Sequence, residues 1–216
     1  MKRYGMMGGT FNPIHLAHLY IAYEAKEALN LDKVIFMVAG NPPHKTEANV
    51  IDSNYRYDMV EMAIKDYSGF EISDYEIQKQ GYSYTYETLK YLKGDEGDIE
   101  VFFIAGADSL MDIEKWKNPE LVLSNCTFVA FNRGDYSKET LEEQKKKLED
   151  KYNSNIILLD ISNLDISSSM IRERIMNGKR VDFFIPDKVM NYIEQNKLYR
   201  GDSNVGIRWY KRAFKE

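Results

Sequence analysis

The stretch from residue 4 to residue 18 reads Tyr4-Gly5-Met6-Met7-Gly8-Gly9-Thr10-Phe11-Asn12-Pro13-Ile14-His15-Leu16-Ala17-His18. Its apolar start, Tyr4 to Met7, predicts a short buried strand, and the apolar spacing from Ile14 to Leu29 predicts a helix. Gly8 and Gly9 fall in the predicted turn between the two, where they leave backbone N–H groups uncovered. Because a helix N-terminus presents unpaired donors and a partial positive charge, this turn predicts a phosphate site.

Two histidines, His15 and His18, stand three residues apart in the first turn of that predicted helix. Residues at this spacing share a helix face, so both imidazoles should point the same way. An H-x-x-H pair could ligate zinc if His44 or a carboxylate completed the set, although no Cys or His cluster with metal spacing follows. Both could also be ordinary surface histidines. Their position beside a glycine turn favours a ligand site over either alternative.

The composition narrows the class of protein. A chain of 216 residues suits one α/β domain and is short for two. With 29 basic and 34 acidic side chains the formal net charge is −5, so no global field attracts nucleic acid. We therefore expect no nucleic-acid partner, and an anionic ligand would need a local basic site.

The cysteine count and the apolar runs indicate a cytoplasmic protein. A single cysteine, Cys126, forms no internal disulfide, which suits a reducing compartment, and its strand-like surroundings favour a core thiol over a nucleophile. After Lys2 and Arg3 no apolar stretch of signal-peptide length accumulates. The longest apolar run, Val101 to Ala105, is strand-sized and far too short for a membrane span.

Apolar runs alternate with helical segments along the chain, which predicts a parallel sheet covered on both faces. The predicted strands are Tyr4–Met7, Val34–Ala39, Val101–Ala105, Thr127–Phe131 and Ile156–Leu159. Further predicted helices are Asn54–Lys65, with Tyr57, Val60, Met62 and Ile64 as its apolar stripe, Thr85–Leu92, Ser137–Tyr152, a helix opened by Ser167 and Asp187–Leu198. The expected architecture is a Rossmann-like, doubly wound α/β domain over residues 1–200, with a small C-terminal helical part.

In such sheets, ligands bind beyond the carboxyl ends of the strands. Each segment that follows a predicted strand here would be an ordinary loop if taken alone. All of them are polar, contain Gly or Pro and should meet at one edge: Gly8–His18, Gly40–Lys45, Gly106–Asp108 and Asn132–Gly134.

The C-terminal end contains two further features. Ser167-Ser168-Ser169 opens a helix, and serines at such a position can cap the helix or bind phosphate. Residues 201–216 form a basic, aromatic extension of unknown role. This extension could be disordered, pack on the domain or contact a second copy in a homo-oligomer.

The stretch from Gly8 to His18, together with Ile166-Ser167-Ser168-Ser169-Met170-Ile171-Arg172, resembles the paired signatures of the nucleotidylyltransferase superfamily. Within it, the chain is similar to bacterial nicotinate mononucleotide adenylyltransferases. This narrower resemblance depends on Pro42-Pro43-His44-Lys45, on Gly81-Tyr82-Ser83-Tyr84-Thr85-Tyr86-Glu87-Thr88-Leu89, and on Gly106-Ala107-Asp108 followed by Trp116. It extends from Met1 to about Arg200. Ala17 and Lys79 depart from it, standing where glycine and arginine are common.

The resemblance implies adenylyl transfer from ATP to nicotinate mononucleotide, with Mg²⁺ brought in on the ATP phosphates and no metal site of the protein's own. It implies catalytic roles for His15, His18, Lys45 and Arg172. It implies ATP contacts from those histidines and Arg172 and from Gly8, Gly9, Thr10, Phe11, Gly106, Asp108, Arg133, Ile166 and Ser167. It implies acceptor contacts from Lys45, Thr85, Asp108 and Trp116.

Some alternatives stay open from the sequence. Trp116 could be a partly buried core residue instead of a stacking surface, and Asp108 could cap a helix beginning near Leu110. The acceptor could be nicotinamide mononucleotide or phosphopantetheine, and the nucleotide donor CTP. A non-catalytic nucleotide sensor would share the same fold.

Overall fold

The computed structural model describes residues 1–41, 50–79, 81–95, 97–132, 134 and 136–200. The strands are β1 (Lys2–Gly9), β2 (Lys33–Val38), β3 (Phe70–Ser73), β4 (Ile99–Gly106), β5 (Thr127–Phe131) and β6 (Asn155–Leu159). They form one sheet in the order β3-β2-β1-β4-β5-β6, and every neighbouring pair is parallel. The predicted doubly wound parallel sheet is therefore confirmed.

Helices cover both faces of this sheet. They are α1 (Leu16–Ala28), α2 (Ser53–Ile64), α3 (Tyr75–Gln78), α4 (Thr85–Asp95), α5 (Ala107–Asp112), α6 (Pro119–Asn125), α7 (Lys138–Tyr152), α8 (Ser168–Met176) and α9 (Asp187–Gln195), with a 3-10 turn at Ile113–Lys115. Within the described ranges, none of these helices is both long and apolar enough to cross a membrane.

Alternating strand residues divide the core into two clusters, because successive side chains point to opposite faces of a sheet. Phe36 and Phe102 pack on the face covered by α1, α2, α8 and α9. Met37 and Phe103, their neighbours in the chain, pack on the face covered by α4, α5, α6 and α7. The sheet is thus buried on both sides, as a parallel sheet requires.

The short helices α3, α5 and α6 are absent from the sequence-based expectation, and β3 and α2 also differ from it. The edge strand β3 was not predicted, because it has four residues, of which only Phe70 is buried. Helix α2 turns Arg56, Met59, Val60, Ala63 and Ile64 inward, whereas the predicted stripe contained Tyr57 and Met62. The buried face of α2 differs from the predicted stripe because it includes Arg56, whose long, charged side chain is not counted in an apolar pattern.

Candidate active site

The turn that follows β1 begins two residues later than predicted. Gly8 and Gly9 belong to the strand, paired with Met37 and Val38 of β2, so the prediction that they lie in the turn is wrong. Gly9 has no room for a side chain, because a Cβ there would stand 2.8 Å from the ring of Phe11. Phe11 itself has a left-handed φ of 47°, and the Asn12–Pro13 peptide bond is cis. The turn therefore spans Thr10 to Pro13 and leads into α1.

His15 and His18 lie together at the start of α1. His15 is the N-cap residue and His18 occupies the third helical position, so the helix begins at Leu16 and not at Ile14. Their rings stack with centroids 3.6 Å apart, and the backbone N–H of His15 donates to Nδ1 of His18 at 3.3 Å. His15 is 1% exposed, so the surface-histidine alternative is wrong for it.

The ring of Phe11 meets His18 edge-on, with centroids 5.0 Å apart. The imidazole of His18 is therefore held between one aromatic edge and the face of His15, and it remains partly exposed. Across the described residues, no group of three or more His, Cys, Asp or Glu side chains is placed to hold a metal ion. The contacts with His15 and Phe11 give the His18 imidazole a fixed orientation, which suits a side chain that forms a hydrogen bond with a ligand.

An open cleft of about 390 Å³ lies at the carboxyl ends of β1 and β4. The sheet order reverses between these two strands, which is where doubly wound folds bind their ligands. The cleft is lined by Met7, Gly8, His18, Phe103, Ile104, Ala105, Gly106, Ala107, Asp108, Ser109, Trp116 and Phe131. The cleft thus brings Gly8 and His18 of the first signature together with Gly106, Asp108 and Trp116 of the middle motifs.

The β4 side of the cleft is a tight strand-to-helix junction. Gly106 ends β4 and is the N-cap of α5, so the alternative that Asp108 caps this helix is wrong. A Cβ on Gly106 would stand 2.3 Å from Oδ1 of Asp108. Glycine is therefore needed here for the exposed carboxylate of Asp108 to fold back over the junction.

Trp116 forms another wall of the cleft. Its ring meets Phe103 edge-on at a centroid distance of 6.0 Å, and the residue is half-buried. The two interpretations of Trp116 are therefore compatible, since one part of the ring packs on the core and another borders the cleft. The preceding 3-10 turn is anchored to α7, because Glu114 accepts hydrogen bonds from Lys147 and, at 2.7 Å, from Lys151.

The second signature lies against the turn of the first. Ser167 caps α8 by accepting from the backbone N–H of Met170 at 3.2 Å. The hydroxyl of Ser168 donates to the carbonyl of Pro13 at 2.8 Å, and Nη1 of Arg172 donates to the carbonyl of Asn12 at 2.9 Å. The half-buried Ile166 packs against the core next to this helix. The serines therefore have separate tasks, with Ser167 as the cap and Ser168 as a tie to the turn.

Arg56, on α2, is a site residue that the sequence reasoning missed. It is 1% exposed, and its guanidinium donates to the carbonyls of Thr10 at 2.9 Å, Gly40 at 3.2 Å and Ile51 at 3.1 Å. Burial lowers its pKa from the ordinary arginine value. The buried guanidinium of Arg56 thus connects the turn after β1 to Gly40, which follows β2, and to Ile51, which precedes α2. Arg56 shares the buried face of α2 with Met59, Val60 and Ala63, a spacing that the predicted apolar stripe of this helix did not contain.

The remaining predicted residues lie apart from the cleft or outside the described ranges. Thr85 is described as the first residue of α4 but is not part of the cleft lining. In the same region, Lys79 forms an ion pair with Glu87 and donates to the carbonyl of Tyr82 at 3.1 Å. Lys45, Arg133 and the extension 201–216 fall outside the described residues.

Cys126 has the character predicted for a core thiol. Its Sγ donates to the carbonyl of Val122 at 3.2 Å, and burial raises its pKa to about 12. A thiol with so high a pKa stays protonated near neutral pH, which makes it a poor nucleophile.

Comparison with known proteins adds to this geometry. A cytidylyltransferase-like family model matches residues 6–174. The "probable nicotinate-nucleotide adenylyltransferase" of Clostridium botulinum strain Eklund 17B is 58% identical over 200 residues, which cover 93% of this chain and 99% of that protein. A protein of the same name from Clostridium acetobutylicum is 50% identical over 199 residues, covering 92% of this chain and 100% of the relative. The chain belongs to the nicotinate-nucleotide adenylyltransferase family.

Solved structures share the nicotinate-nucleotide adenylyltransferase fold seen here. The nicotinic acid mononucleotide adenylyltransferase of Plasmodium falciparum complexed with NaAD aligns with a TM-score of 0.77 at 21% identity, covering 92% of this chain and 98% of that one. A putative nicotinate-nucleotide adenylyltransferase of Vibrio parahaemolyticus aligns with a TM-score of 0.64 at 21% identity, covering 93% and 96%. At this identity the two likenesses support the architecture alone.

Proposed function

We propose that the protein transfers the adenylyl group of ATP to nicotinate mononucleotide, releasing nicotinate adenine dinucleotide and pyrophosphate in NAD biosynthesis. The supporting observation is that His18 of the first signature and Asp108 and Trp116 of the middle motifs line the same cleft. ATP beside His18 and the acceptor nucleotide beside Trp116 would therefore bind next to each other in this cleft. The relatives' names supply the acceptor, a nicotinate nucleotide, and the adenylyl group that is transferred.

In this reaction a phosphate oxygen of the acceptor attacks the α-phosphorus of ATP, and the bond between that phosphorus and the β-phosphate bridging oxygen breaks. The nucleophile is already an anion, so the protein has to align two polyanions and stabilise the charge that moves onto pyrophosphate. Alignment of this kind can supply roughly 7–11 kcal/mol of the barrier reduction. Hydrogen-bond donors and cations that are fixed in place lower the barrier further by stabilising the charge that develops in the transition state.

On the ATP side, His18 would donate to the reacting phosphate, with His15 beside it. The Thr10 to Pro13 turn, Gly8, Gly9 and Gly106 would let the nucleotide approach the backbone closely. Ser167, Ile166 and Arg172 would bring the N-terminal end of α8 to the triphosphate, where positive charge is favourable. Lys45 and Arg133 remain proposed contributors to the same charge balance.

On the acceptor side, Trp116 offers its cleft-facing surface to the pyridine ring. Asp108, exposed at the start of α5, is suited to a ribose hydroxyl. Thr85 lies at the N-terminus of α4, where hydroxyl and amide donors suit the nicotinate carboxylate. Because Thr85 is not part of the open cleft, this contact would require α4 and the cleft wall to approach each other on binding.

We further propose that Mg²⁺ enters as part of the substrate, bound to the ATP phosphates, and that the enzyme works in the cytoplasm, which suits its single cysteine. Residues 1–200 would form the catalytic domain and residues 201–216 an extension. The clostridial relatives align over about 200 residues, a length that agrees with a domain of this size.

The test is an acceptor profile. Pyrophosphate release is measured with ATP and Mg²⁺ plus, in turn, nicotinate mononucleotide, its amide and phosphopantetheine, and with CTP in place of ATP. We expect ATP with nicotinate mononucleotide to give the fastest turnover and nicotinate adenine dinucleotide as the product. Equal or faster turnover with another acceptor would show that the acceptor assignment is wrong. ATP binding without turnover on any acceptor would favour a nucleotide sensor.

A further inference from the structure

The chain turns sharply after α9 and brings Tyr199 back to the first turn of the molecule. Lys197 and Tyr199 both have left-handed backbone φ angles, of 54° and 60°. Between them Leu198 is buried in the core, and its N–H donates to the carbonyl of Ile193 at 3.0 Å. A bulky residue rarely adopts a left-handed conformation unless its surroundings hold it there, and such outliers cluster at functional sites.

The Tyr199 hydroxyl donates to Oδ1 of Asn12 at 2.9 Å, across 187 positions of sequence. Asn12 is 3% exposed and lies in the turn that leads into α1. Its Oδ1 also accepts from the backbone N–H of Ile51 at 3.5 Å, and its backbone carbonyl accepts from Nη1 of Arg172. A single asparagine therefore connects Tyr199 to the arginine of the second signature.

The electrostatic surroundings keep Tyr199 in its donor form. Burial raises the pKa of the phenol, and the charges of Arg172 and Arg56 offset part of that rise. The hydroxyl is consequently protonated throughout the neutral range. Both arginines donate to backbone carbonyls of the turn that Tyr199 contacts, Arg56 to Thr10 and Arg172 to Asn12.

We propose that Tyr199 is a positioning residue for adenylyl transfer: its hydroxyl fixes Asn12, and the Asn12 carbonyl in turn holds the Arg172 guanidinium beside the phosphate-binding turn. This inference rests on the proposed function. It assigns a part in the reaction to the segment after α9, which does not belong to the cleft lining.

The test replaces Tyr199 with Phe, which keeps the ring and its packing but removes the donor. We expect kcat/KM for ATP to fall and the Kd for ATP, measured by calorimetry without acceptor, to rise, each by about tenfold, the effect of one lost hydrogen bond. KM for the acceptor should not change. The matched control is Tyr192→Phe, because the Tyr192 hydroxyl donates to Asp58 on α2 and not to the turn. This control should lower the unfolding midpoint and leave the kinetic constants unchanged.

A second measurement tests the route through Arg172. In an Arg172→Gln background, Tyr199→Phe should have a much smaller effect on ATP affinity than in the wild type, because coupled residues are not additive. Full additivity would overturn the proposed route, and identical kinetics for Tyr199→Phe and Tyr192→Phe would overturn the positioning role. If the wild type makes no dinucleotide from ATP and nicotinate mononucleotide, the proposed function fails, whereas the comparison of ATP Kd values still decides the role of Tyr199.

Discussion

At the scale of single residues, the candidate site depends on side chains that other side chains hold in place. His18 is fixed by the face of His15 and the edge of Phe11, and Arg172 by the carbonyl of Asn12. Groups held in this way need not reorganise when charge develops on a substrate, which is the main source of electrostatic catalysis. The supporting residues should therefore matter nearly as much as the ones that touch substrate.

Replacing His18 with Ala should lower kcat by about 10²–10³-fold, the usual cost of losing a donor aimed at developing charge. The measurement is pyrophosphate release at saturating ATP and acceptor, with circular dichroism to verify folding. Tyr23→Ala serves as the control, because Tyr23 lies on the same helix and is 49% exposed. Full activity in His18→Ala would contradict the proposed mechanism but not the fold.

Replacing Arg56 with Met should lower the free energy of unfolding by about 3 kcal/mol, because three backbone carbonyls would lose a buried donor. Urea denaturation measures this loss. Arg180→Met is the control, since Arg180 is exposed and bonds to Asp182 two residues away. Equal losses in the two variants would mean that the buried hydrogen bonds of Arg56 contribute little.

Sequence reasoning at this scale identified the residues that belong to local motifs. His15, His18, Ser167 and Arg172 stand in short patterns whose chemistry can be recognised without coordinates. Arg56 and Tyr199 could not be found in this way, because their partners are a set of backbone carbonyls and an asparagine at the opposite end of the chain. Such partnerships exist only after folding.

At the scale of elements, the wall of the cleft that contains Trp116 depends on α7. The 3-10 turn before Trp116 is tied to this helix by Glu114, which accepts from Lys147 and Lys151. These bonds lower the pKa of the Glu114 carboxyl to about 2. In the folded state the Glu114 carboxylate therefore stays ionised at pH values below the ordinary pKa of glutamate. Its ion pairs with the two lysines stabilise the fold fully above that ordinary pKa, and this stabilisation is lost as the pH falls towards 2.

Glu114→Gln should therefore melt at a lower temperature than the wild type near neutral pH, and the difference should shrink as the pH approaches the lowered pKa of Glu114, about 2. Added salt should also shrink it, because both lysine partners are solvent-exposed. Thermal melts across that pH range measure the effect. Glu142→Gln, on an exposed position of α7, is the control. A difference that does not depend on pH would assign the loss to packing.

The elements missed by sequence reasoning share a physical cause. Strand β3 is a short edge strand with little apolar content, and α5 begins directly at the end of β4 with no loop between them. Periodicity needs several residues on each side of a boundary before it indicates a change. Helix α7 and strand β5 were predicted to within a residue of their bounds, whereas β1 and β4 begin two residues earlier than predicted.

At the scale of the whole molecule, one sheet separates two cores and belongs to both. Phe128, fully buried, packs against Phe103, which in turn supports Trp116. The alternation of strands and helices predicted this layered architecture. The strand order could not be predicted, because it depends on which crossover packs on which face once the chain has collapsed.

Phe128→Ala should lower the free energy of unfolding by about 3–5 kcal/mol, the usual cost of a large cavity in a core. Near-UV and far-UV circular dichroism should follow the same transition, because the shared sheet couples both cores. Phe183→Ala is the control, since Phe183 is 69% exposed. Two separate transitions would instead indicate that the two faces unfold independently.

The turn that contains Asn12 and Pro13 also has a consequence for synthesis of the protein. Its partners Ser168, Arg172 and Tyr199 lie 155, 160 and 187 residues further along the chain. Ribosomes add about 5–20 residues per second, so the turn emerges on the order of ten seconds or more before the last of these partners has been made. A nascent chain thus contains the histidines long before Ser168, Arg172 and Tyr199 are available to hold this turn in place.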